Sequence, residues 1–228
     1  MGRLRSDSRS HLGPWGKPGT RFAAARGPHD PKTRMTLLRC FLAVELPSAL
    51  QDAIHAGTMA IRESLRPNLV RWVARRNVHL TLKFLGDTAP SGIELIRAAL
   101  EAAVPRYKTF EVVVQDFGAF PNGRRPRVLW LGLSAPEALT SLQRELDMAT
   151  ARLGYGSEER EFSPHLTIGR VRQPTGAADL QRIREVLGQS SVGELGTFRV
   201  DAVHLFQSEL LPTGSVYTKL FTAELGPG

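Results

Sequence analysis

With a single cysteine, Cys40, in 228 residues, the chain cannot form an internal disulfide, and a reducing compartment, the cytoplasm, is the expected location. No apolar run approaches the roughly 20 residues needed to span a bilayer, so no membrane association is expected. The basic N-terminus also lacks the apolar centre of a secretory signal. General disorder is excluded too: 42% of the residues are hydrophobic and 23% charged, an ordinary globular composition.

What is present in excess is positive charge, +8 in all, but it is unevenly placed. Residues 1–34 hold eight Lys and Arg against Asp7 and Asp30, a charge of +6, which leaves only +2 for the rest. The charge is therefore a weak argument for nucleic acid by itself. This segment is rich in Gly, Pro and Arg and has no periodicity, so it reads as a disordered, functionally idle tail. Its Arg, Ser and Ala also fit a transit peptide. Met35 reads as a natural start, because "MTLLRCFLAVELP" opens directly into a strand.

Residues 35–228 contain a repeat. "TFEVVVQDFGAF" from Thr109 aligns with "TFRVDAVHLFQS" from Thr197, and "FLAVELPSAL" from Phe41 matches "LWLGLSAPEAL" from Leu129. The triplet His-Leu-Thr occurs at His79 and again at His165. All these landmarks, together with the helical stretches after the triplets, move by 86–89 residues. Each half, roughly 35–120 and 121–228, reads strand, helix, strand, helix, strand. The expected strands are 37–44, 78–85, 110–117, 128–133, 165–171, 198–206 and 216–225. The expected helices are 48–65, with Ser48 as its cap, 91–104, 136–153 and 178–187. The fold class is α+β: two pseudo-symmetric lobes, each an antiparallel-rich sheet with helices, around a shared central cleft.

In a strand, residues i and i+2 share a face. His79 therefore lies beside Thr81, and His165 beside Thr167, while Leu80, Leu82, Leu166 and Ile168 face the packed side. If the lobes are related by a two-fold, two imidazoles and two hydroxyls surround one small site. At neutral pH one imidazole can act as base while the other acts as acid, and hydroxyls can donate to non-bridging phosphate oxygens. In-line displacement at phosphorus needs proton chemistry on opposite sides, which two opposed histidines supply without a metal or other cofactor. A strained cyclic phosphodiester suits this set.

These halves resemble the 2H phosphoesterase superfamily and, more narrowly, the bacterial RNA 2′,3′-cyclic phosphodiesterases, the LigT-like 2′-5′ RNA ligases. The resemblance rests on "RCFLAVELP", "RWVARRNVHLTLKFLGD", "GAFPNGRRPRVLWLGL", "FSPHLTIGRV" and "LFQSELLPTGSVYTKL". It implies attack on a terminal 2′,3′-cyclic phosphate of RNA to leave a 2′-phosphate. His79 would be the proton donor, His165 the proton acceptor, and Thr81 and Thr167 the phosphate-binding hydroxyls. Arg170 matches an arginine that commonly follows the second motif. Strand parity sets Arg170 opposite His165, so its reaching the phosphate requires a bulge, for instance at Gly169. Lys83 shares the parity of His79 and Thr81 and reads either as a phosphate attractor or as a solvated strand-end lysine.

Other readings stay open at this point. A zinc hydrolase would want a third ligand near the histidine pair; Asp87 follows the first motif, but the second has no counterpart. A non-catalytic binding module would be expected to lose a motif residue, and all four are present. Ligation forming a 2′-5′ link is the reverse reaction at the same site. His11, His29, His55 and His204 read as structural. Trp72 and Tyr217 could stack on a base, with core packing the better expectation for Trp72. "PNGRRPR" at 121–127 reads equally as a basic RNA-gripping loop or a soluble turn. Transfer-RNA fragments, other cleaved RNAs and small cyclic nucleotides all carry a suitable phosphate. A cleft complete within one chain makes a monomer sufficient.

Overall fold

Phe41 to Val44 are all buried, because the first strand, β1 (Leu38–Glu45), is covered on both faces. Its Cys40, Leu42 and Val44 join the main core, while Phe41 and Ala43 pack with Phe206 in a second, smaller cluster. The computed structural model describes residues 36–212 and 214–228. The expectations for residues 1–34, His11 and His29 lie outside them. Contacts gather Met35–Gly228 into one unit.

After β1 come α1 (Ser48–Gly57), α2 (Met59–Ser64), β2 (Val70–Trp72), β3 (His79–Thr88) and α3 (Pro90–Ala103). Then follow β4 (Phe110–Phe120), β5 (Val128–Ser134), α4 (Glu137–Ala151), β6 (His165–Val171) and α5 (Ala177–Gln189). The chain ends with β7 (Gly196–Val200), β8 (Ala202–Leu211) and β9 (Gly214–Glu224). Leu50 and Ile54 of α1, Ile96 and Leu100 of α3, Leu139, Leu142 and Leu146 of α4, and Ile183 and Val186 of α5 supply the helical side of the core. None of the helices among the described residues is long and apolar enough to cross a membrane.

Several elements differ from the sequence expectation. The helix expected over 48–65 breaks at Thr58, whose Oγ1 donates to the Ile54 carbonyl at 2.8 Å. Ser48 is not the cap; Pro47 holds that position without a side-chain bond. β2 has only three residues, too few for alternation to register. The strand expected over 198–206 is divided at Asp201, because its first part pairs with β4 and its second with β1 and β9.

All the strands belong to one sheet, in the order β7-β4-β5-β6-β3-β1-β8-β9, with β2 pairing β6. The two halves are therefore continuous with each other rather than separate sheets. They meet where Leu80 of β3 pairs with Leu166 of β6. The repeats also interleave: β4, from the first, lies beside β5, and β8, from the second, lies beside β1. β7 sits at one end of the sheet and β8 near the other, yet Asp201 alone separates them in sequence. The sheet must curl to allow this. The helices cover one face, and the curled inner face carries both His-Leu-Thr triplets.

Candidate active site

Both motif strands show the same burial sequence over their first seven residues. In β3, Leu80 and Leu82 point into the core, and His79 and Thr81 toward the inner face. In β6, Leu166 and Ile168 point inward, and His165 and Thr167 toward the inner face. Each strand then slips. Opposite β1 the pairing passes from Ala43↔Thr81 to Leu42↔Lys83, and opposite β5 from Trp130↔Thr167 to Leu129↔Gly169. Leu82 and Ile168 are thus the extra residues of two bulges, which reverse the side-chain parity beyond them.

The bulges place two residues named from the sequence. Lys83 does not face the cleft. Its parity flips, its side chain is 3% exposed, and its Nζ donates to Asp147 Oδ1 of α4 at 2.6 Å and to the Asp147 carbonyl at 3.1 Å. Burial raises the Asp147 pKa, but the bonds from Lys83, Ser157 and the Glu158 amide, with the Lys83 charge, outweigh it and hold that carboxyl below the usual range. Arg170 is turned the other way. The bulge its placement required lies at Ile168, and the exposed Arg170 side chain joins the face of His165 and Thr167. Phe84 occupies the same station in β3. It is 68% exposed, with its ring 6.2 Å from that of Phe41.

Around the Leu80↔Leu166 pair the antiparallel register sets His79 toward Thr167 and Thr81 toward His165. All four side chains are thereby brought together at the middle of the sheet. His79 Nδ1 lies 2.8 Å from the Asn77 carbonyl, and His165 Nδ1 lies 2.8 Å from the Ser163 carbonyl. A carbonyl only accepts, so both rings carry a proton on Nδ1 and leave Nε2 to exchange protons with a ligand. Neither threonine hydroxyl has a hydrogen bond among the described residues, which leaves both available to an oxygen acceptor.

The surroundings of the two imidazoles differ. His79 lies 5.0 Å from the Phe41 ring and 5.2 Å, edge-on, from that of Tyr217. A cavity of about 230 Å³ opens beside it, lined in part by Glu45, Gln51, Arg76 and Phe206. Burial pushes the His79 pKa down, against the opposing effects of the Asn77 carbonyl and the Glu45 charge. Glu45 stands opposite His79 in the ladder. It is ion-paired to Lys219 and lies 3.6 Å from His204 Nε2. His204, in turn, sets Nδ1 2.9 Å from Thr222 Oγ1. Opposite His165 stands Gly132, and the nearest ring is Phe120 at 4.9 Å. There the Trp130 indole fills the space that a side chain at Gly118 would need, and a Cβ on Gly132 would lie 3.1 Å from the Gln115 carbonyl oxygen.

Glu45 and Phe84 were not singled out from the sequence. Parity along "FLAVE" carries Glu45 to the face of Phe41 and Ala43, which was a usable signal; the bulge that exposes Phe84 left none. Tyr217 lies at the cavity, whereas Trp72 packs against the core with Arg62 stacked 4.6 Å over its ring. In the loop over 121–127, Asn122 Oδ1 accepts the amides of Arg124 and Arg125, and Arg184 donates to the Arg124 carbonyl. That is an ordered turn. His55 lies on an exposed part of α1.

Comparison with known proteins agrees with this fold. The model of the 2′-5′ RNA ligase superfamily matches residues 46–210. An RNA 2′,3′-cyclic phosphodiesterase of Methanothermobacter thermautotrophicus is 37% identical over 185 residues, covering 80% of this chain and 96% of its own. One of the same name from Thermotoga maritima is 32% identical over 191 residues, covering 84% and 97%. Among solved structures, E. coli LigT complexed with 3′-AMP is similar with a TM-score of 0.66 and 26% identity, over 83% of this chain and 98% of that one. A family match across most of the chain, relatives aligned nearly end to end and a shared curled sheet lead to one conclusion: the chain belongs to the 2′-5′ RNA ligase superfamily, the phosphoesterases with paired His-x-Thr motifs.

Proposed function

We propose that this protein hydrolyses the terminal 2′,3′-cyclic phosphate of RNA to a 2′-phosphate by acid–base catalysis between two histidines, without a metal. The observation that carries the reading is the pair of imidazoles, each held through Nδ1 by a backbone carbonyl two residues earlier, with Nε2 left free. His165 Nε2 takes a proton from water as the water oxygen bonds to phosphorus. The P–O3′ bond breaks as His79 Nε2–H protonates the departing 3′ oxygen. Thr81 and Thr167 donate to the non-bridging oxygens, and Arg170 offsets their charge. The aromatic cavity beside His79 suits the nucleoside that carries the leaving oxygen. With an RNA 5′-hydroxyl in place of water, the same steps form a 2′-5′ link.

The relatives' names and the basic, exposed Arg170 support RNA ends as the substrate class, and transfer-RNA fragments and small cyclic nucleotides carry the same phosphate. Among the described residues no three His, Cys, Asp or Glu side chains gather as a metal site requires. The test is to offer an oligonucleotide ending in a 2′,3′-cyclic phosphate with excess EDTA and to identify the product. A 2′-phosphate is expected at an undiminished rate. A 3′-phosphate would exchange the donor and acceptor roles, and loss of turnover with EDTA would end the metal-free reading.

A further inference from the structure

The two histidines are identical in backbone setting and in their Nδ1 partner, so nothing in the motif itself says which should hold a proton when substrate arrives. The difference lies on the adjoining strand. The register pairs Glu45↔His79 and Gly132↔His165, placing a carboxylate and a hydrogen atom at corresponding positions. Directly opposed side chains on one face of an antiparallel ladder lie about 4.5–5.5 Å apart at Cβ, and from there the Glu45 charge favours the His79 imidazolium. The second half also leaves no room for such a group, since a Cβ on Gly132 would crowd the Gln115 carbonyl oxygen at 3.1 Å and Trp130 Cζ3 at 3.4 Å.

We propose that Glu45, anchored by Lys219, is a positioning residue that offsets the burial of His79, lets that ring hold the proton it delivers and so sets the direction of proton transfer. The proposal rests on the two-histidine reading above. Every charged or titratable neighbour of His79 has a defined part in it. Glu45 of β1 favours the imidazolium. Burial of the ring opposes it most, and the positive charges of Lys219 in β9 and Arg76, from the turn before β3, act in the same sense. Tyr217 of β9 contacts the ring edge-on and His165 of β6 faces it across the junction. Burial and the Lys219 charge lower the pKa of His204 in β8, against the opposing charges of Glu45 and Asp201. His204, with Nδ1 beside Thr222, sets Nε2 3.6 Å from the Glu45 carboxylate and packs beside it. Lys219 is exposed and pairs with the same oxygen, so it weakens Glu45's influence without abolishing it.

The deciding experiment combines pH–rate profiles with NMR titration of the His79 ring in substrate-free protein, for wild type, Glu45→Gln and Lys219→Met. Without the carboxylate the imidazolium is less favoured, so His79 loses its proton at lower pH. In Glu45→Gln both the NMR midpoint and the alkaline limb of kcat should move down by about one pH unit, while the acidic limb stays. Lys219→Met should move the same limb up. A His79 midpoint that ignores Glu45→Gln overturns the proposal, as does a loss confined to KM for one base with both limbs fixed. Failure of the wild type to hydrolyse cyclic phosphate would instead defeat the functional reading, while the NMR titration would still judge Glu45.

Discussion

The β1–β3 and β5–β6 ladders share one backbone plan but differ in side chains at almost every inner-face station. Glu45 answers to Gly132, Ala43 to Trp130 and Phe84 to Arg170, each pair in matching register. What the halves keep in common is the apparatus that aims an imidazole: His, Thr, the bulge after them and the carbonyl behind. What they vary is charge and aromatic surface. The first half surrounds its histidine with rings, a carboxylate and a cavity; the second leaves its histidine near an arginine, with an indole packed over glycine. Duplication supplies the pair of histidines that we propose as catalytic, and divergence around it would supply the polarity that an acid–base reaction needs.

The strongest attempt to break this comparison is His79→Ala against His165→Ala. If the two act as a pair, each should lower turnover by about 10²–10⁴-fold with little change in melting temperature, since both side chains line the inner face. Full activity in either would end the paired mechanism. Thr81→Val and Thr167→Val should cost less, about 10–100-fold, in keeping with loss of one hydrogen bond to a charged group. If they alter only thermal stability, the hydroxyls are structural.

The bulge residues should separate in the opposite sense, affecting folding rather than turnover. Lys83→Met leaves Asp147 in its buried site without its cation, which should cost about 3–5 kcal/mol in a denaturant titration. Activity per folded molecule should be kept. A variant that folds normally but loses phosphate affinity would restore Lys83 to the cleft. The smallest effect is expected outside the comparison altogether. Deleting residues 1–34 should leave melting temperature and turnover of short substrates unchanged, and a loss of either would move the domain boundary toward the N-terminus.

Much of the site was legible because strand alternation and the repeat are both short-range or periodic signals. His79, Thr81, His165 and Thr167 follow from two-residue spacing and a constant offset. Lys83 was misplaced because a bulge adds one residue without changing the sequence pattern: "TLKFL" alternates as well with the extra residue as without it. Glu45 escaped notice because its significance depends on a cross-strand partner 34 positions away in sequence. The interleaving of β4 and β8 was equally invisible, since which strand neighbours which is a tertiary choice that local composition does not encode. The break at Asp201 has the same origin: one apolar stretch serves two distant parts of the sheet, an edge at β7 and an interior position at β8.

That interleaving bears on how the protein is made. β1 is synthesised early, yet one of its two neighbours is β8, which ends at Leu211. During translation the first repeat must wait with one side of β1 unpaired until nearly the whole chain has left the ribosome. Neither repeat is then an autonomous folding unit, long-range pairing slows assembly, and a chain halted after the first repeat would present an open, apolar strand edge to its neighbours.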